Sequence, residues 1–118
     1  MKVSYYITER LYGDSMKLQI ESVEDIGTLI RLTRKAQGLR QDDLGAMVGC
    51  SHKYVVDVEK GKATIQTGLL LKLLEELGIE VSVDLPSDAS DLLKNKLHSP
   101  DATIPNHRRE KWLSQIAL

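Results

Sequence analysis

The densest run of hydrogen-bonding and ionisable side chains lies in RQDDLGAMVGCSHKYVVDVEKGK, residues 40–62. Ser51 is a helix N-cap type, whose hydroxyl takes up a free amide, and the positive end of the helix that it opens favours anions. His52, Lys53, Tyr54 and Asp57 form the outward face near that end. Arg40, Lys60 and Lys62 add charge on either side, and Gln41 is placed to cap the preceding helix. These groups can recognise an extended anionic partner, but they do not assemble bond-breaking chemistry. Cys50 is the only cysteine and reads as a small, half-buried turn residue, not a nucleophile. It is also the only soft neighbour of His52, so no metal site forms there. Lys53 has no partner for catalytic proton transfer. Nothing in the chain specifies an enzyme, a metal or a cofactor.

Helical periodicity supplies the frame for that face. Ser22 and Asp25 make an acidic variant of a capping box, and Ile26, Leu29, Ile30 and Thr33 follow at helical spacing until Gln37-Gly38. A short helix from about Gln41 to Val48 turns Leu44 and Met47/Val48 inward and ends at Gly49. The helix from Ser51 to Glu59 buries Val55 and Val58 and stops at Gly61. A fourth, starting after Thr64 or Thr67, carries Leu70, Leu73, Leu74 and Leu77 before Gly78. Two short helices joined at Gly49-Cys50-Ser51 have the spacing of a helix-turn-helix.

A length of 118 residues suits one domain with modest extensions, and 42% hydrophobic with 28% charged residues is a globular balance. Aromatics are 4% and Phe is absent, so the core must be aliphatic. The net charge of -1 conceals segregation. Residues 31–62 hold seven bases against four acids, whereas 75–91 hold six acids and no base. One face is therefore suited to an anionic partner and another is not. No apolar run is long enough to span a membrane and residues 1–20 lack a signal-peptide core, which makes the cytoplasm the expected compartment. Met16 offers a second translation start.

With caps, core and breakers in register, the sequence resembles the Xre/Cro family of lambda-repressor-like domains. The matching positions are Gly38, Leu39, Gln41, Leu44, Val48, Gly49, Ser51, Val55, Glu59 and Gly61, within residues 26–78. The resemblance implies a mainly α fold, a four- to five-helix bundle that binds double-stranded operator DNA as a homodimer. His52, Lys53, Tyr54 and Asp57 would then face base edges, Asp57 by accepting from a cytosine amine or by holding Lys53. Gln41 would donate to a backbone phosphate, with Arg40, Lys60 and Lys62 beside it. The family pairs the positions of Arg34 and Glu59 internally, a structural role.

After Gly78 the apolar period shortens to two: Ile79, Val81, Val83 and Leu85 alternate with polar residues up to Pro86. This predicts a β-strand, which needs a partner in residues 1–20 or in a second subunit. Val3, Tyr5 and Ile7, then Leu18 and Ile20 across Gly13-Asp14-Ser15, allow a short N-terminal hairpin. The expected organisation is an extension at 1–21, the DNA-binding domain with its dimerising strand at 22–86, and a flexible tail at 87–118. That tail ends in an amphipathic piece with Trp112 as a partner-binding residue. A strand after the fourth helix is similar to HipB-type antitoxins. This branch implies a transcriptional repressor that controls its own operon and binds a HipA-like kinase toxin. The alternatives are a stand-alone Xre regulator, or a protein-interaction module without DNA binding.

Overall fold

The Ser22 hydroxyl accepts the Asp25 amide at 3.1 Å, and the Asp25 carboxylate accepts the Glu21 amide at 2.9 Å, which closes the N-terminus of the first helix. The computed structural model describes residues 15–99 and 103–116. Its helices are α1 Val23–Ala36, α2 Gln41–Val48, α3 His52–Glu59, α4 Thr67–Leu77, α5 Ser87–Leu97 and α6 Asn106–Ile116. They divide between two compact units, Met1–Val81 and Ser82–Leu118.

In the first unit, α2 packs on α3 and α4, and α1 packs on α3 and α4. Ile30, Leu44, Val55 and Leu73 are fully buried, and Val58, Leu70, Leu74 and Leu77 complete the aliphatic core. Full burial of each such side chain contributes about 1.5–3 kcal/mol of transfer free energy. A Cβ on Gly45 would come within 2.8 Å of the Cys50 carbonyl oxygen. The absent side chain lets the turn fold back onto α2, where the Cys50 amide donates to the Gly45 carbonyl at 2.9 Å. Gln66 caps α4 through its side-chain oxygen, 2.7 Å from the Leu69 amide, so that helix starts at Thr67 itself and neither Thr64 nor Thr67 is its cap.

Three expectations need correction or fall outside the description. No strand occurs among the described residues; 80–86 is irregular, with Val81, Val83 and Leu85 exposed. A strand needs a second backbone to complete its ladder, and among the described residues none pairs with this segment. For the N-terminal hairpin, residues 1–14 lie outside the described set, and Leu18 and Ile20 are exposed in irregular chain.

The C-terminal segment, expected to be flexible apart from its amphipathic last piece, carries α5 as well as α6. Leu97 and Ile104 are buried, and the Arg109 guanidinium donates to the carbonyls of Lys96 at 2.6 Å, Leu97 at 2.9 Å, Ser99 at 2.9 Å and Ile104 at 3.3 Å. One side chain thus satisfies the open carbonyl end of α5 and fixes the loop leading to α6.

Candidate nucleic-acid interface

The recognition surface is set from beneath by a buried ion pair. Arg34, on α1, donates through Nε to Glu59 Oε2 at 2.6 Å and through Nη2 to Oε1 at 2.9 Å. Its Nη1 donates to the Leu39 carbonyl at 2.8 Å. The two side chains are only 9% and 3% exposed, so their charges depend on one another and not on water. The Glu59 carboxylate raises the Arg34 pKa above its ordinary value, chiefly through these hydrogen bonds. The structure thus makes the pairing that the family resemblance implies for Arg34 and Glu59.

Gln41, the first residue of α2, extends this pair to the surface. Its amide nitrogen donates to Glu59 Oε1 at 3.0 Å, and its Oε1 lies 3.1 Å from His52 Nε2. A carboxylate can only accept, so the amide nitrogen must face Glu59 and the carbonyl oxygen His52. That assigns the His52 proton to Nε2. The cap position of α2 belongs to Arg40, whose amide donates to Asp43 at 3.1 Å. Gln41 therefore positions His52 instead of capping, a role that its place in the sequence did not reveal.

Ser51 accepts the Tyr54 amide at 3.0 Å and opens α3 as expected. His52 and Lys53 are exposed in its first turn. Tyr54 differs from expectation: it is half-buried, and its hydroxyl donates to the Gln66 carbonyl, tying α3 to the approach of α4. Burial raises its phenol pKa, as it raises the Cys50 thiol, keeping both groups neutral. Asp57 accepts Lys53 at 3.0 Å and approaches Lys62 at 3.6 Å. Its carboxyl is held below the usual range, first by the Lys53 hydrogen bond and further by Lys62. Arg40 is exposed and paired with Asp42 at 3.0 Å and Asp43 at 3.5 Å, while Lys60 is exposed just past α3. The structure therefore gathers His52, Lys53 and Asp57 along α3, with Gln41 beside its N-terminal end and Lys62 just past its C-terminal end. Trp112 belongs to the other unit, half-buried on α6 with the Arg108 guanidinium 5.9 Å from its ring centre.

No group of His, Cys, Asp and Glu among the described residues could hold a metal ion, and no described helix is long and apolar enough to cross a membrane.

These features define a helix-turn-helix module, and comparison with known proteins agrees. The helix-turn-helix family profile matches residues 30–83. An uncharacterized HTH-type transcriptional regulator, y4mF of Sinorhizobium fredii (strain NBRC 101917 / NGR234), is 40% identical over 73 residues, covering 62% of this chain and 96% of that protein. The chain belongs to the Xre-like helix-turn-helix family. A solved structure described as MDT Protein superposes with a TM-score of 0.55 over 58% of this chain and 97% of its own, at 17% identity, which supports the fold alone.

Breaking the buried pair should cost far more than a surface pair would. Glu59→Gln and Arg34→Met should each lose about 3–5 kcal/mol in urea melts, against ~0–1 kcal/mol for an exposed pair. Losses below about 1 kcal/mol in both would remove the pair from its structural role.

Proposed function

We propose that this protein is a sequence-specific, double-stranded DNA-binding transcriptional repressor that acts as a homodimer. The observation that carries the reading is the division of α3 into two faces. Val55 and Val58 are buried, while His52 and Lys53 stand exposed behind an N-cap whose helix end favours phosphate. In this reading α3 enters the major groove, His52 and Lys53 reach base edges, and Asp57 lies beside them. Ser51, Arg40, Lys60 and Lys62 face the phosphate backbone, whereas Gln41 and Tyr54 hold the frame. The family membership supports the same function.

Dimerisation is assigned to Ile79, Val81, Val83 and Leu85. An apolar groove lies beside this segment, lined by Leu71, Leu74, Gly78, Ile79 and Val81 together with Glu75 and Glu80. A second copy pairing antiparallel along 79–85 would supply the backbone partner that the described residues do not, and cover that groove. The narrower reading is an antitoxin controlling its own operon, with the Trp112 helix engaging a HipA-like kinase. Its support is the apolar segment after α4 and a separate helical unit at the C-terminus.

In vitro selection from random-sequence duplexes should yield a preferred site bound with steep salt dependence. His52→Ala and Lys53→Ala should each weaken binding to it by about 1–3 kcal/mol and relax its base preference. Wild-type affinity in both variants would exclude α3 as the reading helix, and weak, salt-insensitive binding would favour a protein-interaction module.

Light scattering after size exclusion tests the dimer: Val81→Asp and Val81→Pro should give monomers with weak DNA binding. A dimer that survives both substitutions would remove the paired strand and the antitoxin reading with it.

A further inference from the structure

Asp57 lies on the proposed reading helix, and a carboxylate there opposes a polyanion. Its surroundings show how the chain holds it. Lys53 Nζ lies one turn back at 3.0 Å from Asp57 Oδ2, and Lys62 Nζ approaches the same oxygen at 3.6 Å. Lys62 arrives there by backbone design. Gly61, at φ +79°, lets α3 end with the Gly61 amide on the Val58 carbonyl and the Lys62 amide on the Asp57 carbonyl, each at 3.0 Å. The two bonds form a Schellman ending, so the main chain of Lys62 is tied to the residue whose side chain its ammonium meets. The lysines are 76% and 51% exposed, whereas Asp57 is 22% exposed. One half-covered carboxylate thus holds two cations that are open to a partner.

We propose that Asp57 is a specificity residue: it restrains Lys53 and Lys62 so that the protein does not bind DNA of arbitrary sequence through them. This rests on the DNA-binding reading above. Any duplex offers phosphates to both ammonium groups, and each lysine that moves to a phosphate releases counterions and strengthens binding. Here that move strips the carboxylate of its partners and leaves it facing the phosphate field. A preferred site offsets the loss when it presents an amino group, cytosine N4 or adenine N6, for the carboxylate to accept. A random site offers no such donor in register. Asp57 therefore penalises backbone binding without base matching, which is discrimination by an unpaired charge. The depressed carboxyl pKa, caused first by Lys53 and then by Lys62, keeps the restraining charge in place at neutral pH.

The test uses the full chain, with fluorescence anisotropy on a random-sequence duplex and on the selected duplex across a salt series. Asp57→Asn should bind the random duplex at least about five-fold more tightly, with a salt slope steeper by about one to two. The ratio of selected to random affinity should fall at least about five-fold. Adding Lys62→Ala to Asp57→Asn should return the slope toward the wild-type value. Glu76→Gln removes the same charge from an exposed position of α4 and should leave the ratio unchanged. Thermal melts confirm that each variant is folded. Unchanged random-duplex affinity and slope in Asp57→Asn would overturn the proposal, as would an equal gain from Glu76→Gln. Wild-type protein that binds no duplex would instead overturn the regulator reading itself.

Discussion

The first unit is organised around the guanidinium of Arg34 and the carboxylate of Glu59. Two opposite charges buried this deeply are costly to desolvate, and apolar residues of equal volume would serve net stability about as well. The pair differs from an apolar contact in its directions. Arg34 must donate to Glu59 and to the Leu39 carbonyl, and Glu59 must accept from Arg34 and from Gln41. Those directions fix α1 against the end of α3 and the start of α2. From Gln41 the constraint passes to His52, whose Nε2–H is the partner that the Gln41 carbonyl oxygen favours. The exposed side chains can then be oriented without carrying the fold themselves.

Charge on the proposed reading face is restrained rather than maximised. Arg40 is paired with Asp42 and Asp43, and Lys53 and Lys62 share Asp57. Exposed pairs of this kind add little stability, about 0–1 kcal/mol each. Their consequence is electrostatic: cations remain available, but at the expense of an acid already beside them. The net charge of -1 is therefore compatible with binding a polyanion, because local placement decides the encounter.

Much of this frame was legible in the sequence because short-range chemistry sets it. Caps at Ser22 and Ser51, and helix ends at Gly38, Gly49, Gly61 and Gly78, are local signals, and all four of these glycines take positive φ. The inward spacing of Leu44, Val55 and Val58 is likewise local. What escaped depends on distant partners. Tyr54 looks like a surface donor until Gln66 is brought to its hydroxyl, and Gln41 looks like a cap until folding places it between Glu59 and His52. The strand pattern of residues 79–85 describes a backbone that needs a second backbone. The amphipathic piece that becomes α6 was legible, but α5 was hidden because its end is closed by Arg109 reaching carbonyls across a loop, with few buried apolar residues to mark it.

The central claim is that DNA meets the N-terminal end of α3 and the residues flanking it. Amide chemical shifts of isotope-labelled protein, followed while the selected duplex is added, report that contact residue by residue. The account predicts shifts concentrated at 40–42, 51–57 and 60–62, with the buried positions of α4 and all of α6 nearly unmoved. Shifts confined to residues 87–116, or none at all at saturating duplex, would contradict it.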